Sequence, residues 1–296
     1  MPFLANRQYE LIIGDYQNGN GLLINNLQVS FDISKTSSNK NKTNSASIEV
    51  YNLSNESLKV LDTDYPVAVF SAGYVDTGGA KRIFSGQVTN ISTRKSGTDR
   101  ITQLQIGTAY TELNHEILSS LTAPGRTVQD VAEDIRKAIP GVSRGVYNGT
   151  NLTNQIIYGY PLMGTPREML DELSEKYALD WQVDEDVLYI HNKDRANTEN
   201  FAEAYVVSKY TGLVDNAYRA SGDKRRSKKD EVKKQSVQWK MMLTPDLFAG
   251  DIVRLEDTLI IGWYKVTDIR HYGGWRDTPW YTEVRATAIE KVTNNV

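Results

Sequence analysis

The sequence predicts a mainly β chain that carries a smaller α+β insert near its middle. Three observations predict it. Apolar and polar residues alternate through the first and last thirds. Two segments in the middle open on helix caps and continue with apolar residues at helical spacing. A five-residue string from the first β region returns in the last one.

The first third reads as about six short strands. Residues 8–13 are apolar-weighted and stop at Gly14–Asp15, before a turn cluster at 17–21. Leu27, Val29, Phe31 and Ile33 then alternate with Gln28, Ser30 and Asp32, as in a strand with one face buried. A polar Lys/Asn/Ser-rich loop at 34–44 has no apolar anchor, and Ala46, Ile48 and Val50 resume the alternation. Residues 67–74, 83–91 and 101–106 complete the set. Short strands joined by Gly-bearing turns favour an antiparallel barrel or sandwich.

The middle changes character. Thr127–Val128–Gln129–Asp130 is a capping pattern, followed by Val131, Ile135 and Ile139 before Pro140–Gly141 stops the run. A second start has Thr165 as N-cap, Pro166 at the first helical position and Glu168 at the third. Met169, Leu170, Leu173 and Tyr177 then share a face. Strands at 180–183 and 187–191 follow, joined by an acidic turn, Asp184–Glu185–Asp186, whose charges are expected to be solvated. Another strand at 201–210 leads into a segment of low complexity, 223–234. It holds seven basic and three acidic residues, a local net charge of +4. The β pattern then returns at 237–242, 251–255, 264–271 and 281–288.

The echo pairs Gln87–Val88–Thr89–Asn90–Ile91 with Lys265–Val266–Thr267–Asp268–Ile269. Each copy follows a glycine, Gly86 or Gly262, and precedes a polar Gly-bearing turn, at 93–100 and 271–278. The string is good strand composition on its own; its matching context points to two related β domains.

Composition narrows the function. The 296 residues hold 34 Lys plus Arg, 37 Asp plus Glu, three His and no Cys, for a net charge of −3. That balance argues against wholesale coating of nucleic acid. Without cysteine there are no disulfides, thiolate zinc sites, iron–sulfur clusters or cysteine nucleophiles. No apolar run is long enough to span a bilayer, and the first ten residues lack an export signal. The six N-x-[ST] sequons are therefore read as chance.

No catalytic constellation emerges. His115, His191 and His271 lack the partners of a metal or acid–base site and are expected to be surface or rim residues. Asp184 and Asp186 lack the glycine and distal glutamate of a calcium loop. Phosphate-binding, nucleophile-elbow and dinucleotide glycine motifs are missing. The chain is read as a non-enzyme with no cofactor or metal. Candidate contacts are the basic run Lys224, Arg225, Arg226, Lys228, Lys229, Lys233 and Lys234, suited to an acidic partner or a passing polyanion. Tyr272, Trp275 and Trp280, clustered near turns, are candidate interface anchors.

One stretch carries a resemblance: Met242–Leu243–Thr244–Pro245–Asp246–Leu247–Phe248–Ala249–Gly250–Asp251–Ile252–Val253–Arg254–Leu255, then Gly262–Trp263–Tyr264–Lys265–Val266 and His271–Tyr272–Gly273–Gly274. It resembles the C-terminal part of phage tail baseplate hub proteins. The N-terminal order is similar too: Phe31–Asp32–Ile33–Ser34–Lys35–Thr36, Ala46–Ser47–Ile48–Glu49–Val50–Tyr51–Asn52–Leu53–Ser54, Ala72–Gly73–Tyr74 and Phe84–Ser85–Gly86–Gln87–Val88. That order is similar to the hub family of contractile tails, Mu-like and T-even-like, and to the base of type VI secretion spikes.

The resemblance implies a homotrimer in which each chain supplies two tube-type antiparallel β-barrels. Six similar barrels would meet the hexameric tail tube, and threefold symmetry the central spike. It implies a first barrel at 1–108, the α+β insert at 109–199 and a second barrel at 200–296. Implied partners are the tail tube protein or tube initiator, the spike, and baseplate wedge and tape measure proteins. DNA is implied only as passing cargo, in a virion baseplate assembled in the host cytoplasm without membrane binding. No lysozyme or spike domain is recognised in the sequence, so those activities are expected of separate proteins. A tail-associated peptidoglycan hydrolase and a glycan-binding tail module are the competing readings.

Overall fold

The structure is a computed structural model that describes residues 6–14, 21–38, 43–61, 66–108, 110–192, 205–219, 236–277 and 279–289. Seven strands build the first β region: β1 (Arg7–Gly14), β2 (Gly21–Ile24), β3 (Val29–Thr36), β4 (Ser45–Tyr51), β5 (Val67–Tyr74), β6 (Gly79–Ser96) and β7 (Asp99–Gly107). A short helix, α1 (Asn55–Leu61), interrupts them. The alternation of Val29, Phe31 and Ile33 appears as predicted, with those side chains buried and Ser30 and Asp32 half-buried on the opposite face.

The insert holds α2 (Tyr110–His115), β8 (Leu118–Thr122), α3 (Val128–Lys137), β9 (Ser143–Asn148), β10 (Tyr160–Gly164), α4 (Pro166–Tyr177), β11 (Leu179–Asp184) and β12 (Val187–Asn192). Both predicted caps form. Thr127 and Asp130 exchange side-chain and backbone bonds, as do Thr165 and Glu168, with Pro166 opening α4. A two-stranded sheet, β8 with β10, and a three-stranded sheet, β11–β12–β9, pack with the helices around Val131, Ile135, Leu170 and Trp181.

The last region returns to β structure: β13 (Tyr205–Ser208), β14 (Tyr218–Arg219), β15 (Ser236–Met242), β16 (Ile252–Glu256), β17 (Ile261–Gly274) and β18 (Trp280–Ala288). Its core is built on Trp239, Met241, Val253, Leu255 and Val266. The strands of the two expected barrels form two halves of one sheet. Thirteen strands are continuous, in the order β14–β15–β18–β17–β3–β4–β7–β6–β5–β1–β2, with β16 on β17 and β13 on β16. Among the described residues neither half closes on itself; the sheet passes from one half to the other through β17 and β3.

Two expectations are corrected. His191 and His271 are not surface or rim residues: they are 7% and 1% exposed. His271 does not open a turn but continues β17, on the face whose neighbours Ile269 and Gly273 are also buried. The acidic turn at Asp184–Glu185–Asp186 forms, with Glu185 and Asp186 at positive φ, but its charges are not simply solvated. Lys35 and Arg82 of the first half reach over to Asp184 and Glu185.

Candidate assembly interface

The repeated string is a structural device. In β6 the ladder with β7 sets Val88 opposite Ile106 and Asn90 opposite Gln105, leaving Thr89 over as a bulge. In β17 the ladder with β18 sets Val266 opposite Ala286 and Asp268 opposite Arg285, leaving Thr267 over in the same way. A bulge disrupts the ladder locally, and in both copies the threonine hydroxyl supplies a donor to the carbonyl across it. Thr89 Oγ1 donates to Gln105 O at 3.2 Å, and Thr267 Oγ1 to Arg285 O at 3.0 Å.

Each bulge marks a change of partner along one edge. Before it, Gln87 pairs Val67 of β5, and Lys265 pairs Ile252 of β16. Beyond it, β17 turns to β3 of the other half, from Asp268 opposite Thr36 to Gly274 opposite Ser30. The join is extended at its ends by Ser37 N donating to Thr267 O at 2.8 Å and Trp275 N donating to Val29 O at 2.9 Å. The corresponding edge of β6, residues 90–96, carries no ladder among the described residues, and all but the half-buried Ile91 are exposed.

The opposite end of the sheet is the counterpart of β3. Asp32 of β3 lies opposite Ser47 of β4, which lies opposite Gln105. Tyr218 of β14 lies opposite Gln238 of β15, which lies opposite Arg285. Gln105 and Arg285 stand at the same place beside the two bulges, so Tyr218 occupies the position of Asp32. β14 is exposed and its outer edge is also without a ladder among the described residues.

The predicted anchors divide. Trp280 is 1% exposed and meets Phe31 edge-on at 5.1 Å inside the first core, so it joins the two halves of one chain. Trp275 also works at that seam: it packs edge-on against Tyr9 at 5.3 Å, and its Nε1 donates to Arg7 O at 3.4 Å. Tyr272 is half-buried on the polar face, where its hydroxyl donates to Glu283 Oε1 at 2.9 Å. Lys224, Arg225, Arg226, Lys228, Lys229, Lys233 and Lys234 lie outside the described residues; in sequence they link β14 to β15.

The insert is held by polar contacts from β3 and its loop. Lys35 Nζ lies 3.0 Å from Asp184 Oδ1, Ser38 Oγ donates to Asp180 Oδ1 at 3.1 Å and Asn44 Nδ2 donates to Val183 O at 3.1 Å. Where the insert meets the second half, a cavity of about 260 Å³ is lined in part by His191, Asp251 and Lys265. Burial first, and the Lys265 charge second, push His191 down to about 3, while burial raises Asp251 above the usual carboxylate range. Among the described residues no group of three or more His, Asp or Glu converges as a metal site, and no helix is long and apolar enough to cross a membrane. Sequence reasoning missed the uncovered β6 edge, although the echo marked the bulge from which it starts.

No family model and no curated protein matches the sequence. Solved structures do. The chain is similar to a tail protein from Neisseria meningitidis MC58, with a TM-score of 0.67 at 11% identity over 96% of this chain and 97% of that one. It is similar to the 43 kDa tail protein of prophage MuSo2 from Shewanella oneidensis, with a TM-score of 0.64 at 9% identity over 94% and 98%. It is also similar to the E. coli c3393 protein, a type VI secretion component described as similar to the T4 tail proteins gp27 and gp5. There the TM-score is 0.64 at 10% identity, over 89% of this chain and 74% of that chain. The chain has the fold of phage tail proteins and of the type VI secretion component that shares it.

Proposed function

We propose that the protein is a structural component of a phage tail tip: a baseplate hub, three copies of which close into a ring of six β units between tail tube and central spike. In this reading the chain divides into a first tube-type unit at 1–108, the insert at 109–199 and a second unit at 200–296. The observation that carries it is the mismatch between the two edges beyond the threonine bulges. In β17 that edge is covered by β3; in β6 the same edge has no partner strand among the described residues. An uncovered strand edge is an aggregation hazard unless a partner pairs with it. A second copy offers the counterpart of β3, namely β14, and a head-to-tail contact of this kind closes into a ring when the rotation permits.

The register follows from the internal join. Tyr272, four residues past Asp268, stands opposite Asp32, and Arg94 stands four residues past Asn90. Arg94 of one copy therefore faces Tyr218 of the next. Tube protein or tube initiator would bind one rim and the spike the other, with wedge and tape measure proteins as further partners and DNA as passing cargo. The basic segment 223–234, tied in sequence to the β14–β15 edge, belongs at a partner contact in this reading.

Because the chain has no cysteine, the pair Arg94→Cys/Tyr218→Cys tests the register directly. Mild oxidation is expected to link copies into covalent dimers and trimers, with neither single variant doing so. Efficient linking of Arg94→Cys to a cysteine at Gln238, one strand further in, in place of Tyr218 would contradict the pairing.

A further inference from the structure

The eight strands β14–β15–β18–β17–β3–β4–β7–β6 form one uninterrupted band. One face of the band packs on the cores of both halves. The other bears the polar residues of the alternation and has no layer over it among the described residues. Much of that face is hydroxyl and amide: Ser30, Ser34, Ser47, Gln103, Gln105 and Gln238. Among the described residues three of its cations, Arg94, Lys240 and Arg270, are paired with acids. Arg94 Nη2 lies 2.9 Å from Glu49 Oε1, and Lys240 Nζ lies 2.5 Å from Asp215 Oδ2. Arg270 sits between two carboxylates, 2.6 Å from Asp32 Oδ2 and 3.4 Å from Glu283 Oε2. Arg285 stands directly across the ladder from Asp268.

Isolated ion pairs at such exposure add little stability, which leaves their placement without a folding rationale. Their effect on a polyanion is larger. A free arginine on a channel wall releases counterions from phosphate and holds the strand; one engaged by a carboxylate does so far less. We propose that this face is the wall of the conduit, and that its carboxylates engage Arg94, Lys240 and Arg270 so that passing nucleic acid finds these charges already occupied. The proposal rests on the ring reading for the word conduit; the masking of charge is a property of the single chain.

The test uses the full-length protein and a short fluorescein-labelled DNA duplex, followed by anisotropy at low ionic strength. A triple variant, Asp32→Asn/Glu49→Gln/Glu283→Gln, removes the acids around Arg94 and Arg270. A control triple, Glu56→Gln/Asp76→Asn/Glu116→Gln, makes the same change in net charge at exposed positions off the band. The band triple is expected to bind at least about tenfold more tightly than the control. Its salt dependence should be steeper by about 0.9 in the log–log slope for each of the two arginines released. Equal affinities of the two triples would overturn the proposal, as would a wild type that binds as tightly as the band triple. Thermal unfolding checks that each variant is folded. Light scattering on the same samples reports the ring separately, so failure of charge masking and failure of the trimer are read independently.

Discussion

Lys35 Nζ lies 3.0 Å from Asp184 Oδ1, joining a strand of the first β half to the hairpin of the insert, with both side chains largely out of water. The ammonium also sits 5.6 Å from the centre of the Phe248 ring in the second half, so one cation touches all three parts of the chain. Breaking a buried pair on one side strands the other charge. Asp184→Ala is expected to cost about 3–5 kcal/mol in urea unfolding, and Lys35→Met/Asp184→Leu clearly less than the single variant. A double variant as damaged as the single would contradict this account of the junction.

The two buried histidines predict a pH dependence. Burial, and secondarily the Lys35 charge, push His271 down to about 3, and His191 is likewise held at about 3. Each folded-state value lies below the unfolded value of about 6.5, so the unfolded chain takes up the proton first as pH falls. The stability these neutral imidazoles contribute is complete above about 6.5 and is lost toward 3, at up to about 1.4 kcal/mol per pH unit for each. Urea midpoints measured from neutral pH to about 4.5, above most carboxylate titration, should fall for the wild type. The variant His191→Gln/His271→Gln should give a flatter profile.

The bulge threonines predict a matched pair of effects. Thr89→Val and Thr267→Val keep the shape and remove one hydrogen bond each, so each is expected to cost about 0.5–1.5 kcal/mol. Only Thr267 adjoins the β17–β3 join, where its carbonyl accepts from Ser37 N. Hydrogen exchange in β3 should therefore quicken in Thr267→Val and stay unchanged in Thr89→Val.

Local rules made much of this fold legible. Thr127, Thr165 and Pro166 announce their helices because capping is decided within one turn, and Val29, Phe31 and Ile33 announce a strand because its faces alternate. The Val-Thr-x-Ile echo was visible, but its meaning was not: a bulge is a relation between strands, and only the ladders show that each threonine is left over. Tertiary context hid the rest. Nothing near Asp184 in sequence points to Lys35, 149 residues away, and nothing near Trp280 points to its burial against Phe31. His191 and His271, unlike the exposed His115, escape a sequence reading for the same reason, since one polar residue on an apolar face is legible only when the opposite layer is known.

The measurement that bears most directly on the central claim is the solution mass of the full chain by light scattering, alone and with a spike protein encoded beside it. The account predicts a species near three times 33.3 kDa, or an equimolar complex built on three copies. It also predicts loss of that species when residues 90–96 are replaced by a sequence rich in proline and lysine. A monomer under both conditions would contradict it.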